Sequence, residues 1–224
     1  MIFWVIDMKI LAISRDKDTT GRLERAFPKT TVVESGQAGE RIAFANDFDL
    51  VVLDQELATT PIMRTLRGIK QKRSTPVLLL IPDHSKDAKL SAFETGASAV
   101  LTKPVDLERL TRVVRLIVVR NRSEAHCNAK FSTTSLSDVD GRIAGAIEKI
   151  KLTCKERLLL KLFLFNQEFV VTKGMINRCL YPEKSGTATS VVDSHLSNLR
   201  KKLDALDYAE SIYTVRGSGY VFMP

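Results

Sequence analysis

Three short, unbroken apolar runs constrain this chain more than any other feature: KILAI at 9–13, LVVL at 50–53 and PVLLLI at 76–81. A strand with one wet face alternates apolar and polar residues, whereas a strand apolar at every position is covered on both faces. Between these runs lie amphipathic segments with helical spacing, at 20–27, 37–46, 61–71 and 86–95, the last closed by Gly96. Briefer strand signals fall at 31–33 and 99–101, and a long helix is expected over 106–119. Strand and helix thus alternate five times. That predicts a five-stranded parallel, doubly wound sheet that binds ligands beyond the carboxyl ends of its strands.

The pattern stops at a short polar stretch, 120–130, read as a linker between a domain at 1–119 and a second at 131–224. The second half begins with weak strand signals over 130–150. Thr153 then caps a helix expected to reach 166, with Glu156 as its capping-box partner and Leu158, Leu159, Leu162 and Phe163 as its apolar stripe. Helices follow at 173–180 and 188–206, and two strands flank Gly217-Ser218-Gly219 within 211–223. Three helices and a hairpin make a winged helix-turn-helix.

Charge and cysteine usage narrow the functions. The net charge of +8 excludes an acidic solvating tail and permits a polyanionic partner. Cys127, Cys154 and Cys179 are odd in number and widely spaced, which argues against a disulfide framework or a zinc site and for reduced thiols in a cytoplasm. No apolar run approaches the ~18 residues of a membrane span, so no membrane association is expected. The apolar opening MIFWVID is too short for a signal peptide; it is either a lead-in before Met8 or the start of the first strand. No nucleophile–base–orienter set and no glycine-rich phosphate loop is visible, so neither metabolic catalysis nor a cofactor is expected.

Particular motifs carry a family resemblance. VVTKGMI at 170–176, VVDSHLSNLRKKL at 191–203 and YTVRGSGYVF at 213–222 resemble the winged-helix output domain of OmpR/PhoB-class response regulators. LVVLD ending at Asp54, Glu94-Thr95-Gly96-Ala97 and Thr102-Lys103-Pro104 resemble their receiver domain. The resemblance implies a transcriptional regulator of a two-component system. In that family the aspartate closing the third strand accepts a phosphoryl group with the help of Mg²⁺, which is held by two acids at the end of the first strand.

Here the acid pair aligns with Ser14 and Arg15, and Asp16 lies one residue beyond. The phosphate-binding hydroxyl of the fourth strand aligns with Ile81, and the switch aromatic of the fifth with Val100. Asp54 and Lys103 remain. No metal is therefore expected, and the chain is identified as an atypical, phosphorylation-independent member, similar to chlamydial members of that kind. The expected cation beside Asp54 is Arg15 or Lys103. The alternative is a conventional regulator phosphorylated at Asp54 by a sensor histidine kinase, with Asp16 and Asp18 serving as the acid pair after a shift in register.

The resemblance also implies a receiver homodimer through the fourth helix, fifth strand and fifth helix. Lys89 keeps its family character, Arg109 stands at an acidic position and Val113 at a basic one. Leu90, Phe93, Leu116 and Ile117 would add apolar surface, so a constitutive homodimer is expected. The partner of the second half is double-stranded DNA, read as direct or inverted half-sites. On the 188–206 helix, Val192, Leu196, Leu199 and Leu203 share one face and should point inward. The DNA candidates are then Ser190, Asp193, Ser194, Ser197, Asn198, Arg200 and Lys201, with Lys173 and Arg216 from flanking elements. Asn198 suits a bidentate contact to adenine, and the cations suit phosphate. For the 181–188 loop the resemblance implies contact with RNA polymerase as a further partner, and hence an activator.

Overall fold

The computed structural model describes residues 8–56, 62–72, 74–82, 85–122, 150–181, 189–204 and 211–223. The chain divides into two compact units, Met1–Arg122 and Ser123–Pro224. The strand signals expected over 130–150 and most of the expected linker lie outside the described residues.

The first unit holds β1 (Ile10–Ile13), β2 (Thr30–Val33), β3 (Leu50–Asp54), β4 (Val77–Ile81) and β5 (Ala99–Thr102). All are parallel, in the order β2-β1-β3-β4-β5. The three unbroken apolar runs form β1, β3 and β4, which with β5 are buried at every position, while β2, at the edge, stays partly exposed. The helices between them are α1 (Lys17–Ala26), α2 (Gly36–Ala45), α3 (Ile62–Lys72), α4 (Lys86–Thr95) and α5 (Leu107–Arg122). This is the five-stranded doubly wound architecture read from the sequence. Gly96 closes α4 in a left-handed conformation, φ 114°, where a side chain would be strained.

Two boundaries differ from expectation by three residues. α1 begins at Lys17 rather than at 20, because the Asp16 carboxylate caps it and accepts from the amides of Asp18 (3.0 Å) and Thr19 (3.4 Å). α5 continues to Arg122 rather than stopping at 119.

Strand order places the site. In an open parallel sheet the crevice forms where neighbouring strands send their connections to opposite faces. Here that pair is β1 and β3. Ile13 stands opposite Leu53, so the next residues, Ser14 and Asp54, emerge side by side at the carboxyl edge.

The second unit contains α6 (Cys154–Leu164), α7 (Lys173–Leu180) and α8 (Thr189–Asp204). Its sheet comprises β6 (Val170–Val171), β7 (Ile212–Val215) and β8 (Gly219–Phe222), antiparallel in the order β6-β8-β7. The Thr153–Glu156 capping box opens α6, with both reciprocal hydrogen bonds formed. The buried face of α6 includes Leu160, whereas Leu158, expected in the stripe, is only half-buried. Val192, Leu196, Leu199 and Leu203 of α8 all enter the core, beside Ile176, Tyr220 and Phe222. Gly219 opens β8 at φ 149°, and a Cβ there would lie 2.3 Å from the Val171 carbonyl oxygen. Only glycine lets the hairpin close against β6.

Candidate functional site

Asp54 lies at the end of β3 with its carboxylate 1% exposed. Its Oδ2 accepts from the Ser14 hydroxyl at 2.6 Å and from Lys103 Nζ at 2.7 Å. Its Oδ1 accepts from the Glu56 amide at 3.2 Å. Both oxygens of a buried carboxylate are thus engaged, as they must be for the charge to be tolerated there.

Lys103 is the centre of the cluster. Besides Asp54, its ammonium donates to Glu56 Oε2 at 2.7 Å and Asp16 Oδ2 at 3.1 Å. Partial burial pushes the ammonium toward the neutral form, but the hydrogen bonds to Asp54, Glu56 and Asp16 outweigh it, and its pKa is raised. Asp16 is held down to about 2, first by the Thr19 hydroxyl, against the desolvation that opposes ionisation, and then by Lys103. An open cleft of about 550 Å³ lies over the cluster, lined by residues that include Asp18, Arg22 and Asp106.

Lys103, not Arg15, is the cation beside Asp54. Arg15 is exposed and its Nε donates to the Glu34 carbonyl at 3.3 Å. Successive residues leaving an extended strand point to opposite sides. With Ser14 turned inward to Asp54, Arg15 faces out. Glu56 is a site residue that the sequence reading missed, although it stands only two positions beyond the aspartate. Ile81 closes β4 fully buried, opposite Thr102, and offers no polar atom from its side chain.

The donor set does not fit magnesium. This small ion demands octahedral oxygen ligands at ~2.0–2.1 Å and gives up its waters reluctantly. Asp16 already caps α1 with Oδ1 and receives the Thr19 hydroxyl at 2.7 Å on Oδ2. Asp18 pairs with Arg22 at 2.7 Å. Among the described residues no group of three His, Cys, Asp or Glu side chains is arranged to hold a metal ion.

The expected dimer surface needs a larger correction. Phe93, Val113 and Ile117 are 0%, 4% and 4% exposed, inside the receiver's own core. They are the inward stripes of α4 and α5 and offer nothing to a second copy. Leu90 and Lys89 are half-buried, Arg109 is exposed, and Leu116 is 41% exposed, as is Leu107 at the start of α5.

In the second unit, α8 presents Asp193, Ser194, Ser197, Asn198 and Lys201 outward, all exposed. Ser190 lies in its first turn, with a side chain outside the described set. Arg216 is exposed in the hairpin turn. Arg200 is turned away from this face: its guanidinium donates twice to the Ile212 carbonyl, at 3.1 and 2.9 Å, and to the Thr214 hydroxyl at 3.0 Å. It ties α8 to β7.

Asp193 makes a second tie. Its Oδ1 accepts from the Tyr220 hydroxyl at 2.6 Å, and Lys173 Nζ stands 3.4 Å from the same oxygen. The Tyr220 hydroxyl is the leading reason that Asp193 titrates low. Tyr220 is only 4% exposed, and the Lys173 ammonium and the Arg200 guanidinium each lie 5.9 Å from its ring centre. His195 meets the Tyr181 hydroxyl at 3.0 Å, under a ring that Lys155 caps at 3.7 Å.

Two comparisons with known families agree with these two units. Residues 16–115 match the response regulator receiver domain, and residues 147–222 match the C-terminal domain of transcriptional regulatory proteins. The chain is 31% identical to the response regulator ArlR of Staphylococcus aureus over 186 residues, 83% of this chain and 84% of that protein. It is similar in fold to DrrB, a Thermotoga maritima OmpR/PhoB homologue, with a TM-score of 0.50, 24% identity, and coverage of 97% of this chain and 99% of that one.

Proposed function

This chain belongs to the OmpR/PhoB-type response regulators and is a DNA-binding transcriptional regulator, and from that premise we propose that it works without aspartyl phosphorylation. The observation that carries the reading is the engagement of both Asp54 oxygens, by Ser14, Lys103 and the Glu56 amide. An incoming phosphoryl group meets a buried, already neutralised carboxylate, without the β4 hydroxyl that would bind it. The receiver is then held in one state by its own lysine.

The output domain reads double-stranded DNA with α8 in the major groove. Asn198 and the serines 194 and 197 face base edges, and Lys201 and Arg216 face phosphates. The regulator acts as a homodimer on half-sites about one helical turn apart. Support for a constitutive dimer through α4–β5–α5 is narrower than the sequence pattern suggests. It rests on Leu107 and Leu116, beside Leu90, Lys89 and Arg109. Activation through RNA polymerase and a cytoplasmic location complete the reading. Among the described residues no helix is long and apolar enough to cross a membrane.

The test is to incubate the protein with acetyl phosphate and Mg²⁺ and to follow Asp54 by intact mass and DNA affinity by fluorescence anisotropy. The expected result is unmodified protein with unchanged affinity. Stoichiometric phosphorylation of Asp54 with a shift in affinity supports the conventional switch instead. Sedimentation at micromolar concentration tests the dimer, and a monomer there counts against it.

A further inference from the structure

A carboxylate on the reading face of a DNA-binding helix calls for a physical account. Asp193 points outward from α8 with its side chain half exposed, on the same exposed face as Ser194 and Ser197. Facing a polyanion, such a charge lowers affinity unless it does something else. Two contacts show what holds it and what it holds. The buried Tyr220 donates its hydroxyl to Asp193 Oδ1 at 2.6 Å and so fixes the carboxylate from the β8 side. Lys173, the first residue of α7, places its ammonium 3.4 and 3.5 Å from the two carboxylate oxygens. Three DNA-facing elements, α7, α8 and the hairpin, therefore meet at one carboxylate.

We propose that Asp193 is a specificity-determining counter-charge that keeps Lys173 from the phosphate backbone and so restrains sequence-independent DNA binding. The inference rests on the DNA-binding reading above and names a residue that tunes it. Sequence-independent binding is driven by phosphate neutralisation and counterion release, so each cation withheld weakens it and flattens its salt dependence by about one ion. Base readout depends on position rather than on charge count and is affected less. The Lys173–Asp193 pair is exposed, and its own contribution to folding is small. Tyr220 holds the carboxylate where it faces the ammonium, which marks the tyrosine as a positioning residue.

The experiment is a double-mutant cycle on the full chain with a random-sequence 30-base-pair duplex, measuring affinity across a salt series. Asp193→Asn keeps an acceptor for Tyr220 and removes the charge. It should tighten binding by about threefold to tenfold at low salt and steepen the slope of log K against log salt by about 0.9. Lys173→Met alone should leave the slope nearly unchanged, and in the Asp193→Asn background it should abolish the gain. If Lys173→Met lowers the slope equally in both backgrounds, Lys173 is not held back and the inference is wrong. Tyr220→Phe, which removes only the hydroxyl, should give part of the Asp193→Asn gain, and a variant indistinguishable from wild type speaks against the positioning role. A wild type that binds no duplex at low salt refutes the DNA-binding reading as a whole, whereas a wild type that binds without coupling between the two residues refutes only this inference.

Discussion

Replacing Lys103 by methionine keeps an unbranched side chain, one atom shorter, and removes the charge. Asp54, 1% exposed, then loses its only cationic partner among the described residues, while the Ser14 hydroxyl at 2.6 Å and the Glu56 amide at 3.2 Å remain. Removing one member of a buried ion pair costs about 3–5 kcal/mol. Two features lower the figure here. Asp54 keeps two hydrogen bonds, and the Asp16 and Glu56 side chains, 33% and 57% exposed, turn to water at little cost. About 2–3 kcal/mol is expected on these grounds. With a urea m-value of about 1.5 kcal/mol/M, the receiver midpoint should fall by about 1.3–2 M. The decisive arm is Asp54→Asn. Alone it should destabilise, because Lys103 loses its most buried partner. In the Lys103→Met background it should stabilise, because it removes the stranded charge. Urea unfolding of the four proteins, followed by far-UV circular dichroism, reads the cycle. If Asp54→Asn has the same sign in both backgrounds, the carboxylate and the lysine are not the coupled pair described, and the reasoning fails.

Asp16, with its pKa lowered to about 2 from 3.8, should contribute stability that is present above about pH 4 and lost as pH falls through 2. Urea midpoints across that range should fall, and Asp16→Asn should flatten the fall; an unchanged slope contradicts the capping role. Glu156, 3% exposed, closes the capping box and accepts from Lys202 at 2.6 Å. Glu156→Ala should destabilise the second unit by about 1–2 kcal/mol, read as a lower thermal midpoint.

Much of the architecture was legible because burial on both sides leaves an unambiguous mark. β3 and β4 have no polar residue before Asp54 and after Val77 respectively, and nothing but a covered strand tolerates that. The inward face of α8 was equally plain, since Val192, Leu196, Leu199 and Leu203 repeat at helical spacing. The α4 and α5 leucines and valines were harder. Phe93, Val113 and Ile117 look the same in sequence whether a helix faces its own sheet or a second molecule, and only the fold decides between them.

The pocket was half legible. The residues at the aligned positions are identifiable, but the sequence leaves Arg15 and Lys103 as alternatives beside Asp54, and only the direction of the chain turns Arg15 away. Glu56 went unnoticed because its role depends on where Lys103 Nζ arrives from a strand 47 residues further on. The Tyr220–Asp193 bond spans 27 residues and leaves no local signature at all.

The most direct measurement is a Mg²⁺ titration of the intact protein, followed by amide chemical shifts at residues 14–16, 54–56 and 103. If the Lys103 ammonium holds the place of the metal, those signals should not move saturably up to 10 mM (about the millimolar range of weak carboxylate sites). A saturable shift centred on Asp54 would contradict the account, because it would mean that the ion reaches the carboxylate despite the lysine.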